Sequence, residues 1–281
     1  MKEIAGASLE KERSLYFEKD LKVSHCTFAG KEDGESPLKE GRNLLVEDCF
    51  FELRYPFWHD QALKVNRCEL SEKSRAAFWY DDGLEISASK LHGIKALREC
   101  QNLILRDVDV ISPEFMWRCN HVQLEKVKVV SEYPFFEDGD FQAQELTLEG
   151  KYSFQYVKGG HLDRCTLKTK DAFWHSENLT VSDSLIDGEY LGWYSKNLHL
   201  VRCHIKGTQP LCYCQGLVLE NCTMEGCDLA FEASEVQADI KGEILSVKNP
   251  RSGVIKAEKI GKVIQSESPY PTEAKIMVTG K

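Results

Sequence analysis

Two aspartates and a file of tryptophans are the residues with the most chemistry to offer. Asp60 and Asp81 occupy equivalent places in successive segments of a repeat, and Trp58 and Trp79 stand two residues before them. If each segment is one rung of a stacked β structure, the two carboxyls lie about 4.8 Å apart at the backbone. Retaining glycosidases hold their two carboxyls about 5–5.5 Å apart, which makes Asp60 and Asp81 candidate catalytic residues for cleaving a glycosidic bond. Adjacent carboxylates also raise one another's proton affinity or recruit a cation, and Asp82 lies beside them. The plainer expectation is that these acids are solvated turn residues. No other motif calls for a metal or a cofactor. Glu99, Arg118 and Glu137 fall on consecutive rungs, with Asp138 and Asp140 following. That order reads as an alternating charge ladder, or in a lyase as an acid–base pair acting on a uronate.

All 5 tryptophans of the chain share one register: Trp58, Trp79, Trp117, Trp174 and Trp193, with Arg98, Phe136, Gln155, Cys212 and Phe231 filling the column. The preceding column, from Phe57 and Phe78 to Phe173, is apolar throughout. Adjacent strand residues face opposite ways, so the phenylalanines are expected in the core and the indoles outside. The strip would then run about ten coils, or ~45 Å at the strand spacing. Exposed apolar strips of that size mark interaction sites. Flat indole faces suit pyranose rings, and the neighbouring column offers polar partners such as Arg118, Glu137 and His175. Trp58, Trp79, Arg98, Trp117, Arg118, Glu137, Trp174, His175 and Trp193 are therefore candidate contacts to a carbohydrate that is bound or cleaved there. The alternative is a structural or interaction protein whose strip packs in a homo-oligomer or against a partner. His59 and His175 share a column but stand six rungs apart, too far to act together.

What positions these residues is the repeat. LKVSHCTF from Leu21, LLVEDCFF from Leu44, LKVNRCEL from Leu63, LHLVRCHI from Leu198 and LVLENCTM from Leu217 are variants of one string. From Leu84 to Val236 the first position recurs every 19 residues eight times running. Apolar residues at offsets of two, with polar residues between, mean strands with one buried face. Asn43, Asn102, Asn178 and Asn197 share a turn column with Gly83, Gly159 and Gly216, and a second turn column holds Gly93, Gly188 and Gly207. Asn and Gly are the residues that best tolerate the left-handed conformation. Helix-pair repeats need longer periods. The pattern predicts an all-β chain, a single-stranded right-handed parallel β-helix (solenoid) of about twelve coils. Residues 1–281 form one domain in this reading, with a cap over 1–20, regular coils over 21–239, and terminal coils with a C-terminal cap over 240–281. The step from Leu21 to Leu44 leaves an insertion around Lys31–Pro37, and that from Leu63 to Leu84 a smaller one near Ser71–Arg75.

Composition narrows the partners. The chain has 281 residues, 42% hydrophobic, with 45 acids against 36 bases and a net charge of -9, which argues against nucleic acid. No apolar run approaches the roughly 20 residues of a membrane span, and the charged opening stretch does not resemble a signal peptide, so a cytoplasmic location and no membrane partner are expected. The 11 cysteines contain no zinc-like CxxC pair. Several stack on successive rungs (Cys26, Cys49 and Cys68; Cys203 and Cys222), where parallel side chains disfavour the disulfide torsion. They are expected to be reduced core fillers, with replacement by Ser costing more than replacement by Ala.

The NLxVxxC-type coils, GESPLK from Gly34, DAFW from Asp171 and EYLGW from Glu189 resemble a bacterial family of uncharacterised β-helix proteins, over nearly the whole chain. The resemblance implies the pectin-lyase-like fold. It implies no reaction and carries over no site residue.

Overall fold

The computed structural model describes residues 1–30 and 34–280; of the Lys31–Pro37 insertion, Lys31, Glu32 and Asp33 lie outside the described residues. The chain is an all-β parallel solenoid of about 14 turns at a spacing of about 19 residues, without helices among the described residues. None of the described segments is a helix long and apolar enough to cross a membrane. The coordinates divide into two compact units, Met1–Gln142 and Ala143–Lys281.

In the first unit the strands Gln61–Asn66, Asp82–Ser87, Gln101–Arg106 and Asn120–Glu125 lie parallel and in register. Leu63 pairs with Leu84, Leu84 with Leu103 and Leu103 with Val122. A second set of short parallel strands, Phe57–Trp58, Phe78–Trp79, Leu97–Arg98, Glu114–Trp117 and Tyr133–Phe136, forms another wall. Its inward residues fill the core, with Phe57 and Phe78 stacked at 4.9 Å and 1° between planes. The second unit repeats the plan: Leu162 pairs with Val181, Val181 with Leu200 and Leu200 with Leu219.

Two further turns, made by Ser252–Ile264 and Lys275–Val278, account for the count above twelve. Val236 pairs with Gly253 and Ile240 with Ala257, so the coil there has shortened to 17 residues, with the register slipping between Ile240 and Glu243. The repeat is lost to the eye because its period changes, not because the coil ends.

The corners carry an unexpected load. One coil alone places Lys95, Glu99, Asn102 and Asp107 at φ of 59, 52, 56 and 53°. For residues other than Gly this conformation costs roughly 1–2 kcal/mol each. What offsets the cost is bonding to the coils on either side. Glu99 N donates to Trp117 O at 2.8 Å, Asp107 N donates to Glu125 O at 3.0 Å, and the Asn102 side-chain amide donates to Asp82 Oδ1 at 2.7 Å. At Gly93 and Gly188 the constraint is space: a Cβ would strike the carbonyls of Ser74 and Thr169.

Inside the coil, two columns of small polar side chains tie successive turns together. In the first, Cys49 N donates to Cys68 Sγ at 3.4 Å, and Cys68 N donates to Ser89 Oγ at 3.0 Å. Each acceptor in turn donates to the carbonyl two residues before it, Cys68 Sγ to Asn66 O at 3.4 Å and Ser89 Oγ to Ser87 O at 2.6 Å. The cysteines are therefore hydrogen-bonding groups rather than mere fillers. The second column contains Asp60, Asp81, Cys100, Cys119 and Asp138. Asp60 Oδ1 accepts from Gly41 N at 2.6 Å, Asp81 Oδ1 from Asp60 N at 2.8 Å, and Asp138 Oδ1 from Cys119 N at 2.7 Å.

These acids are neither solvated turn residues nor surface catalysts. Asp60, Asp81 and Asp138 are 0%, 1% and 1% exposed, and the second oxygen of each is buried without a partner. Burial holds all three carboxyls well above the usual carboxylate range, with Cys100 and Asp60 adding to the effect at Asp81. Each carboxyl supplies the acceptor that an amide of the preceding coil needs, the role that the thiol and hydroxyl play in the first column.

Two stability predictions follow from the columns. A native-state carboxyl with a raised proton affinity stabilises below the unfolded value near pH 4, and that contribution is lost as pH rises toward the folded one. D81N keeps the acceptor that the Asp60 amide uses, without a charge to suppress. It should melt close to the parent at pH 4 and above it at pH 8, by at least about 1 kcal/mol or roughly 2–4 °C; an equal or lower melting point at pH 8 would refute a buried neutral Asp81. C68S should be tolerated better than C68A, which strands the Cys49 amide at a cost of about 1–3 kcal/mol. This reverses the order expected of a plain core filler, and thermal melts of the two variants decide it.

Candidate functional site

The indoles do stand on the outer wall, half-buried, behind a fully buried column that includes Phe57, Phe78, Phe135 and Phe173. Their posture differs from the one a sugar platform needs. Trp58 and Trp79 stack on each other at 5.0 Å and 3° between planes, and Trp174 and Trp193 at 5.4 Å and 4°. The faces are thus spent on neighbouring indoles, and the ring edges meet solvent. Each indole N–H is also committed to a carbonyl on the next coil: Trp58 to Ala76 at 2.6 Å, Trp79 to Lys95 at 2.9 Å, Trp117 to Tyr133 at 2.8 Å, Trp174 to Tyr190 at 2.7 Å and Trp193 to Gln209 at 2.8 Å.

Arg98 and Gln155 each take over one part of this arrangement. Arg98 slots between indoles, its guanidinium 5.1 Å from the Trp79 ring centre and 5.2 Å from that of Trp117. A planar cation replaces a ring in the stack. Gln155 Nε2 donates to Asp171 O at 3.2 Å, imitating an indole N–H. The strip is shorter than its column, because Cys212 and Phe231 are fully buried.

The next column occupies left-handed corners, and its rings stack as well. In the first unit His59 and Tyr80 lie 4.9 Å apart, followed by Glu99, Arg118 and Glu137, where Arg118 Nε meets Glu137 Oε2 at 2.7 Å and Nη1 meets Glu99 Oε1 at 3.7 Å. That trio is the charge ladder, not an acid–base pair: Asp138 points into the core, and Asp140 pairs with His121 at 2.7 Å. In the second unit Tyr156, His175, Tyr194 and Tyr213 form a continuous ladder with centroid steps of 4.9, 5.0 and 4.8 Å. Tyr156 and Tyr194 are each 42% exposed. This ladder presents a continuous polar-edged aromatic surface. The sequence column held all four residues but singled out only His175.

His161, Ser182 and Asp163 are linked at 2.8 Å each, but the Ser182 hydroxyl donates to Asp163, so the histidine does not activate it. Among the described residues no group of three His, Cys, Asp or Glu could hold a metal ion.

The stacking makes Arg98 a structural surrogate. R98A should lower stability by about 1–3 kcal/mol, since it opens a gap between two indoles and removes two cation–π contacts. R98W should restore it and extend the indole signal in near-ultraviolet circular dichroism, and R98K should fall between. If R98A melts with the parent, the sandwich carries no weight.

Comparison with known proteins adds a family but no activity. No curated protein matches the chain. Among solved structures, the mannuronan C-5 epimerase AlgE6 A-module of Azotobacter vinelandii aligns over 99% of this chain and 89% of its own, at 10% identity and a TM-score of 0.34. HetL, a pentapeptide repeat protein from the cyanobacterium Nostoc sp. strain PCC 7120, aligns over 82% and 86%, at 12% identity and a TM-score of 0.25. PfbA, a surface adhesin of Streptococcus pneumoniae, aligns over 96% and 78%, at 6% identity and a TM-score of 0.29. Scores this low support no argument about function. Residues 2–278 match a single family, and the chain belongs to it: DUF3737, a protein family of unknown function.

Proposed function

We propose that this protein is a carbohydrate-binding solenoid without catalysis at Asp60 and Asp81, and that it binds through the ring ladder of its second unit. The observation that carries the reading is the file Tyr156–His175–Tyr194–Tyr213, with its 4.8–5.0 Å steps. Stacking fixes these side chains before any ligand arrives, so little rotamer entropy remains to be lost on binding. Tyrosine and histidine edges offer hydroxyl and ring-nitrogen partners to a hydroxyl-rich chain lying along the coil axis. Trp174, Trp193 and Gln155 hold the wall behind that file rather than contacting the sugar with their faces.

A second reading is favoured by a different surface. On the first unit Ile111 and Val130 pair on adjacent strands and are 46% and 51% exposed, which suits a protein partner or a second copy of the chain. All 11 cysteines are unpaired and buried, which supports a reducing, cytoplasmic setting and an intracellular oligosaccharide as ligand. The net charge of -9 continues to disfavour nucleic acid.

Calorimetric titration with a panel of neutral and acidic hexasaccharides tests the first reading. At least one should bind, and H175A and Y194A should each weaken it about tenfold or more, equivalent to about 1.4 kcal/mol, with the β-solenoid circular-dichroism spectrum retained. If no member of the panel binds while sedimentation velocity shows concentration-dependent association, the interaction reading replaces it.

A further inference from the structure

One carboxyl on the second unit belongs to neither interior column. Asp171 sits at a corner between Tyr152 and Tyr190 on the adjacent rungs, and all three have left-handed backbones, with φ of 51, 55 and 59°. Amide bonds from Tyr152 N to Lys170 O at 2.8 Å and from Asp171 N to Glu189 O at 3.0 Å hold the rungs in register. The corner is further locked from the indole column, where Gln155 and Trp174 donate to the carbonyls of Asp171 and Tyr190. Tyr190 also packs edge-on against Trp193 at 5.6 Å.

Three rungs of equal conformation carry a long ring, a short acid and a long ring. At the strand spacing the two phenols stand about 9.6 Å apart at the backbone, with the carboxyl set back between them. Asp171 is 7% exposed, yet its carboxyl has no hydrogen bond and no ion pair among the described residues. The nearest cation has another partner: Lys170 Nζ meets Glu189 Oε2 at 3.1 Å and lies 5.1 Å from the Tyr190 ring centre. The interior acids each accept a backbone amide; this one accepts nothing. Unlike the interior acids, Asp171 has no buried oxygen without a partner, so its carboxyl is reached from outside and stands open to external donors.

We propose that the Tyr152–Asp171–Tyr190 corner is a pyranose subsite, in which the Asp171 carboxylate accepts hydrogen bonds from two neighbouring hydroxyls of one sugar while the flanking phenols bracket the ring. Two adjacent hydroxyls match the two oxygens of a carboxylate and add no charge beside Lys170. The subsite rests on the carbohydrate reading above and gives it a specific anchor, because Asp171 lies on the second unit beside Trp174 and Trp193. Burial raises the proton affinity of Asp171, Lys170 opposes the rise and Glu189 adds to it. Tyr152 and Tyr190 are the other titratable groups that face it. Protonation removes one acceptor, so binding should weaken as pH falls, beginning above the ordinary aspartate value of about 3.9.

The test titrates the full chain and its D171N variant with cellohexaose, chitohexaose and a mannuronate hexamer at pH 7.5 and pH 5, with glycerol as a ring-free diol. D171N is nearly isosteric, and its melting point reports whether the corner survives. The expected result is a hexasaccharide that binds the parent, loses at least about tenfold affinity in D171N, and weakens at pH 5 in the parent only. Equal binding by parent and D171N, with the same pH profile, overturns the subsite and leaves the carbohydrate reading standing. Glycerol competing as well as the hexasaccharide overturns recognition of a pyranose. Binding of none of the three hexasaccharides overturns both.

Discussion

The backbone amides of each coil bond to the coils on either side, mostly 19 residues away, and that register governs each unit. Backbone amides reach across it, and corner residues are held in a costly conformation by it. The small polar side chains of the interior bond across it as well. The consequence is that side-chain columns are not decoration on a scaffold but part of what fixes the rise. A residue is acceptable when it can do for its neighbours above and below what the rest of its column does.

This explains substitutions within columns that look unrelated chemically. Cysteine, serine and aspartic acid alternate inside because each offers an acceptor to a backbone amide of the preceding coil. Tryptophan, arginine and glutamine alternate outside because indole, guanidinium and amide are all planar groups with N–H donors. Phe136, without such a donor, makes a ring contact tilted 51° from Trp117. In both columns the geometry of the neighbouring coils selects function over residue type.

The coil period and the inward leucine and valine columns were legible because hydrophobic alternation and a constant spacing are local signals. So was the opposition of Phe57 inside to Trp58 outside. The placement of Asp60 was not, for a definite reason. Alternation is a rule for extended backbone, and His59 has φ of 60°, so parity breaks at that corner and the next side chain turns into the core. The facing of the indoles was equally hidden. Nothing in a column of tryptophans says whether faces or edges meet solvent; that follows from a coil rise close to an aromatic stacking distance. The final turns were obscured by a period that shortens to 17 residues. Asp171 was visible in DAFW, yet its isolation emerges only when the tyrosines on either side are placed.

The paired indoles have an optical consequence. Two chromophores lying nearly parallel at 5.0 Å, as Trp58 and Trp79 do, share their excited states, and so do Trp174 and Trp193 at 5.4 Å. The strength of that coupling falls steeply with separation. Each unit of the solenoid therefore carries its own spectroscopic ruler, one that would register a stretch or compression of its turns without any label being attached.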